Sequence, residues 1–475
     1  MSEQATISQG LYRPEPISLR AGPLRVDYDS GDLRYVKLGE REIVRRVYVA
    51  VRDRNWGTAP NRLSNTRIEQ GADWFRITYD VESKQREIDF AWQAQIAGEA
   101  NGTVTFAFEG QARSTFLKNR LGLVILHPIG ECAGAACRVE REDGQVVEAS
   151  FPVWISPSRP FEEMRAIEYA VQPGVWAELR FAGDIFETED QRNWTDASFK
   201  TYSTPVRLGF PTEVSAGTRV AQSVTLRLVG AVPPGADAAS QAEPAISVGA
   251  QAVGVLPRLG LSAASHGQPL TTAEIERLRA LRLSHLRADI VFRQPDWPDR
   301  LRQAGEEARA LGVDLELALH LSEEAEQELA QLVAELEALR APLARWLLFG
   351  VGAGTPDENL MRLARARLGA YTPAVPLVGG TDAYFAQLNS QRPPAALLDG
   401  LCYSINPQAH AFDTQSLMET FEAQAATVRS AQQFAAGKPV HISPLTLRPR
   451  FNPAATEPEP EAGPGELPHW VTEPR

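Results

Sequence analysis

The hydrophobic period of this chain changes once along its length, and that change limits what each part can fold into. Up to about residue 231, apolar and polar residues alternate in runs such as PLRVDY, LRYVKL, EIVRRVYVAV, WFRITYDV, EIDFAWQAQIAG, GTVTFAFEGQA, LGLVILHP and RVAQSVTLRLVG. A period of two with β-branched and aromatic residues marks strands buried on one face. DSGD, GEAN and EDG supply the turns between them. Long runs in hairpin succession predict an antiparallel β-sandwich over residues 1–231. Residues 232–244, VPPGADAASQAEP, replace strand formers with Pro, Gly, Ala and Ser and read as a linker.

Beyond residue 245 the period becomes 3.6. TTAEIERLRALRL carries a capping box, Thr271 with Glu274. In SEEAEQELAQLVAELEALR, Leu329, Leu332, Val333, Leu336 and Leu339 form one stripe. Short apolar runs separate the helices: VLPRLGLSA, HLRADIV, DLELALHL, RWLLFGV, AVPLVGG, LCYSIN and PVHISPL. Strands alternating with helices predict a parallel sheet, here a TIM-type (β/α) barrel over residues 245–475, with an open doubly wound sheet as the alternative. Seven strands leave two edges unpaired. The Pro- and Glu-rich NPAATEPEPEAGPGELPHWVTEPR then ends the chain, so the barrel is expected to be C-terminally incomplete.

Composition narrows the function classes. A net charge of -12 argues against a nucleic-acid partner, which wants a clustered basic surface. The 475 residues, 43% hydrophobic, suffice for large cores. Three cysteines, Cys132, Cys137 and Cys402, are too few for a secreted disulfide scaffold or a four-cysteine zinc site. No apolar stretch reaches membrane-spanning length, and MSEQATISQG lacks the features of a leader; a cytoplasmic protein with no membrane partner is expected. HxH, HExxH, GxSxG, P-loop and GxGxxG patterns are missing, so no metal and no cofactor are expected.

In a TIM barrel, function sits at the C-terminal ends of the strands. That rule selects Arg287 and Asp289, then His320, then Thr381, Asp382, Tyr384 and Asn389. It goes on to Tyr403, Ser404, Asn406, His410 and Asp413, and finally to His441, Ser443, Thr446, Arg448, Arg450 and Asn452. His320 precedes an acidic helix start and reads as structural. Neutral hydrogen-bonders with a few charges suit a polyhydroxylated ligand carrying a carboxylate or lactone. His410 and Asp289 stand out as a base and its partner or second acid. The Asn-Glu expected after the fourth strand of many retaining glycosidases is replaced by FGVGAGTPDENL.

Two segments repeat Arg-Asn-Trp: DRNWGT at Asp53–Thr58 and EDQRNWTDASFKTY at Glu189–Tyr202. FETEDQRNWTDASFKTY, preceded by LKNRLGLVILHP, resembles the bacterial D-apionate lactonase family. YSINPQAHAFD and SPLTLRPRFNP are similar to that family's barrel segments. The likeness extends from LRAGPLRVDYDSGDLRYVKLGEREIVRRVYVAVRDRNWGT to the tail, in one order. The resemblance implies hydrolysis of D-apionolactone to D-apionate in breakdown of the branched sugar apiose. It also implies a longer chain with the rest of the barrel and a small C-terminal β-domain.

Ring opening needs a base for water and donors for the oxyanion. His410 or His441 is expected to activate water, with Asp289 orienting or sharing that role. Arg287 or Arg448, with Asn406, would stabilise the oxyanion. Asp382, Tyr384, Asn389, Tyr403, Thr446, Arg192 and Asn193 complete the expected substrate contacts. The Arg-Asn-Trp segments are expected to be polar loops that brace the barrel or wall its mouth. The small-molecule partner is thus a sugar lactone. A barrel-type glycoside hydrolase and a non-catalytic carbohydrate-binding protein are the alternatives.

Overall fold

The computed structural model describes residues 15–232, 245–264, 267–350, 352, 354–410, 412–447 and 449–455. The expected linker, apart from Val232, and the tail beyond 455 lie outside the described residues, as does Arg448.

Among the described residues, the N-terminal half forms one hydrogen-bonded antiparallel sheet of seventeen strands. It has two arms. The first runs through β1 (Ile17–Ala21), β2 (Leu24–Asp29), β3 (Asp32–Leu38), β4 (Arg41–Asp53), β9 (Phe116–Pro128), β15 (Ser198–Tyr202) and β14 (Phe186–Asp190). The second runs through β5 (Asn61–Gln70), β6 (Phe75–Gln85), β7 (Ile88–Gly98), β8 (Val104–Ala112), β17 (Arg219–Gly230) and β13 (Val175–Ala182). Strand β12 (Phe161–Gln172) joins them: Phe161 and Met164 pair with β14, and Ala166 to Gln172 pair with β13. The expected two sheets are therefore continuous through β12. Both arms turn their alternating apolar residues, among them Val47, Val49, Leu123, Phe75, Ile96 and Phe106, into one core.

The opposite face of the first arm is unusual. Period two places Tyr48, Ala50 and Arg52 of β4 beside Arg120 and Val124 of β9, Lys200 and Tyr202 of β15, and Glu187 and Glu189 of β14. Ala50, Val124 and Tyr202 pack together there, and much of the rest is buried although charged.

The C-terminal half carries seven parallel strands in chain order: β18 (Gly260–Ser262), β19 (His285–Val291), β20 (Asp314–His320), β21 (Leu343–Phe349), β22 (Leu377–Gly380), β23 (Gly400–Ile405) and β24 (Val440–Leu445). They form a nearly closed barrel, with β18 and β24 at the two ends of the strand order among the described residues. After the helical turn α1 (Ile129–Cys132) of the first half come α2 (Thr272–Ala280), α3 (Trp297–Leu311), α4 (Ala325–Leu339), α5 (Glu358–Tyr371), α6 (Phe385–Ser390) and α7 (Thr414–Phe434). Thr271 and Glu274 form the reciprocal cap of α2. Leu329, Leu332 and Leu336 of α4 are buried against the strands. Alternation sends Leu286, Ala288 and Ile290 outward to the helices, and His285, Arg287 and Asp289 inward.

Helix α7 and the barrel loops dock on the charged face of the sheet. Arg34 reaches Asp413 (3.3 Å) and Ser416 (2.9 Å), and Tyr35 bonds Glu419. No helix among the described residues is long and apolar enough to cross a membrane.

Candidate active site at the barrel mouth

The inward residues at the C-terminal ends of β19 and β20, and the loops after β22 and β24, meet in one cluster. Arg287, buried at 2% exposure, donates through Nη2 to Asp289 Oδ1 (2.6 Å) and Asp382 Oδ1 (2.7 Å). Its Nη1 donates to Ser443 Oγ (3.1 Å). Arg450 closes over Asp382 from the other side, with Nη1 2.9 Å from Oδ2 and Nη2 2.9 Å from Oδ1. Asp382 is thus a buried clamp for two guanidinium groups.

His320 stands beside them, with Nε2 3.0 Å from Asp289 Oδ1 and its ring tilted against Phe349. Burial alone would raise the Asp289 carboxyl. The hydrogen bond from His320 and the charge of Arg287 outweigh it and hold Asp289 well below the usual carboxylate range. An ionised Asp289 can only accept, so Nε2 of His320 carries the proton of this bond, and in that tautomer of the neutral ring Nδ1 would offer its lone pair. This is the geometry of an oriented general base next to cationic groups.

One oxygen or nitrogen from each of Asp289, His320 and Asp382 lie within 4.8 Å of one another, a spacing open to metal ligation. Both carboxylates, however, already accept from guanidinium groups. A divalent ion would have to displace or face those positive charges.

The other expected residues fall into distinct places. His441 lies one inward layer below Ser443, near His285, Glu316 and Arg345, and burial pushes it down to about 4. That is away from the C-terminal rim. His410 sits between the halves, with Nδ1 2.6 Å from Asp196 Oδ2 and its ring edge-on to Trp194. Burial, then Lys200, Arg52 and Arg120, hold it far below its ordinary range, so it is neutral. Tyr403 points outward and bonds Thr427 of α7 (2.7 Å), because alternation along β23 sends Cys402 and Ser404 inward. Asn406 accepts from Thr195 Oγ1 through its carbonyl (2.7 Å) and from the Gln408 N–H through Oδ1 (2.6 Å). Thr446 donates its backbone N–H to Ile405.

The two Arg-Asn-Trp segments are built alike. Asp190 caps a 3₁₀ turn over Gln191–Trp194, and Thr195 ends it at φ 67°. Asp53 accepts from the N–H groups of Asn55 (2.9 Å) and Gly57 (2.8 Å), and Trp56 adopts φ 68°. Each turn then holds an asparagine from the barrel rim. Asn389 donates to Asn193 Oδ1 (3.0 Å), and Asn452 donates to the Asn55 carbonyl (2.9 Å). Trp194 packs edge-on against Tyr384 at 5.7 Å. Arg192 is spent on Asp190 (2.7 Å) and the carbonyls of Pro152 and Val153. The segments therefore brace the rim, and Arg192 and Asn193 point into that brace.

Fold and cluster define a (β/α) barrel protein with an acid–base group at its strand ends, docked on an antiparallel β-domain. The sequence pattern of the D-apionate lactonase N-terminal domain matches residues 5–231, and that of the family's TIM barrel domain matches residues 259–475. A D-apionate lactonase of Brucella anthropi is 31% identical over 462 residues, 92% of this chain and 74% of that protein. The chain belongs to the D-apionate lactonase family, a family of carboxylic-ester hydrolases. Among solved structures, a β-arabinopyranosidase aligns at 11% identity and TM-score 0.31, over 76% of this chain and 66% of that one. A galactose mutarotase related enzyme from Lactobacillus acidophilus aligns at 10% identity and TM-score 0.27, over 46% of this chain and 98% of that one. At those scores neither bears on the chemistry here.

Proposed function

We propose that the chain opens a sugar-acid lactone, D-apionolactone to D-apionate, at the mouth of the barrel. The name of the Brucella anthropi relative supports the substrate. The observation that carries the site is the Asp289–His320 bond beside Arg287 and Arg450. His320 Nδ1 takes a proton from water as its oxygen attacks the lactone carbonyl. Arg450, more exposed than Arg287, faces the developing oxyanion. Collapse breaks the ring C–O bond, and the leaving alkoxide takes the proton back from His320. Arg287 positions Asp289 and Asp382. The two arms of the β-domain, folded over their common core as a sandwich, hold the loops that brace this mouth.

A two-carboxylate glycosidase needs one acid held protonated. Asp289 is shifted the other way, and Asp382 is held by two guanidinium groups. The test is turnover of D-apionolactone by His320→Gln. Expected is a loss of about 10²–10⁴-fold with the melting temperature retained; unchanged turnover would remove His320 from the reaction.

A further inference from the structure

The charged face of the first sheet arm holds a second cluster that the barrel mouth does not use. Arg52 of β4 and Arg120 of β9 are directly opposite one another in the ladder and are 5% and 2% exposed. Lys200 of β15, 2% exposed, lies on the same face. The acids nearby are bonded to other groups: Glu189 to Lys200, Asp196 to His410, and Glu187 to Arg159 and the Tyr202 hydroxyl. Nε of Arg52, and Nε and Nη1 of Arg120, are buried with no hydrogen-bond partner among the described residues. The Arg120 guanidinium lies 3.4 Å over the Tyr202 ring and 5.9 Å from the Trp56 ring. Tyr48, Trp56 and Glu189 at the edge of the cluster are half-exposed.

Two buried like charges side by side are costly, and the Glu189 carboxylate that shares their field is bonded to Lys200. Their rigid forks match a carboxylate or another planar oxyanion. The half-exposed ring of Trp56 adds an apolar face of the kind that covers the C–H side of a polyol. We propose that Arg52 and Arg120, beside the Lys200–Glu189 pair, form a binding site for the carboxylate of a small open-chain hydroxy acid, separate from the barrel mouth. A lactone has no such charge, so this site tells acid from lactone. That the acid is the enzyme's own product rests on the proposed function; the anion site itself does not.

Burial supports the same picture, pushing Lys200 down to about 8 and Asp196 up to about 8. An Asp196 that keeps its proton offers Arg52 and Arg120 no counter-charge.

The test is calorimetric titration with erythronate, a four-carbon sugar acid, against erythritol as its neutral counterpart. The acid is expected to bind the wild type and Arg450→Gln, and to bind Arg52→Gln and Arg120→Gln at least about tenfold more weakly. Erythritol is expected to give no saturable binding. Absence of binding to the wild type, equal affinity in both arginine variants, or loss of binding in Arg450→Gln would overturn the proposal. The last result would place the acid in the barrel mouth. A second readout does not depend on the β-domain variants folding. Erythronate should raise the melting temperature of Arg450→Gln above that given by equimolar sodium chloride or erythritol; equal shifts would also overturn it. Neither readout measures lactone turnover, so failure here and failure of the lactonase reading are separate results.

Discussion

At the barrel mouth, Arg287 and Arg450 face Asp289 and Asp382, and every charge has an opposite neighbour. On the sheet, Arg52 and Arg120 face each other, and the nearby acids are bonded elsewhere. The sheet cluster is built on alternating strand positions, and the mouth cluster on inward strand positions of β19 and β20 with the loops after β22 and β24. They differ in what a ligand would meet. The mouth is preorganised and close to neutral, and it presents an imidazole lone pair with guanidinium groups alongside. That suits a neutral substrate in which charge develops during the reaction. The sheet cluster gathers Arg52, Arg120 and Lys200 around the Glu189 carboxylate, an excess of positive charge that suits a ligand that is already an anion.

Four experiments sharpen the contrast. The largest expected effect is on the brace between the clusters. Arg192→Ala should cost about 3–5 kcal/mol of stability, because Asp190 is then buried without its partner. Chemical denaturation measures this, and a cost below about 1 kcal/mol would show that the brace carries little. Next is Arg450→Gln, for which kcat should fall about 10²–10³-fold, as for loss of one oxyanion donor. A change confined to KM would make Arg450 a binding group only.

The third effect is on pH dependence. Burial depresses His441 to about 4 in the folded chain, whereas an unfolded histidine titrates near 6.5. Between those values the unfolded chain binds the extra proton, so stability should fall as pH drops from about 6.5 to about 4. His441→Gln should flatten that slope in melting curves, and an unchanged slope would assign it elsewhere. The smallest effect concerns metal. Chelator treatment should leave turnover unchanged, since Arg287 and Arg450 occupy the carboxylates a cation would use. Loss of activity restored by one divalent ion would turn Asp289, His320 and Asp382 into its ligands.

The seven barrel strands were legible because each is a compact apolar run between helices with clear stripes. The strand-end rule also found Arg287, Asp289 and Asp382, which the structure brings together. It did not rank them, since contact across β19, β22 and β24 is a three-dimensional fact that spacing does not contain. In the sequence, the acidic helix start that follows His320 favours a structural role for that histidine. Its inward position, two residues beyond Ala318 and opposite Val291, was the signal available. Tyr403 looked equally good in sequence, but it falls on the outward phase of β23. His410 belongs to the docking of the two halves, and nothing local in YSINPQAHAFD points to Asp196, more than two hundred residues away. Arg52 and Arg120 were hidden by their surroundings. In VYVAVRD and LKNRLGLV a charged residue near a strand end reads as solvent-facing, whereas both are buried.

The central claim is that lactone opening takes place at the Asp289–His320 pair and not at the Asp196–His410 pair. Turnover of D-apionolactone by His320→Gln and His410→Gln, each checked for wild-type melting, compares the two directly. A loss of about 10²–10⁴-fold in the first, with the second within about tenfold of wild type, is the predicted result. The reverse pattern would move the chemistry from the barrel mouth to the interface between the halves.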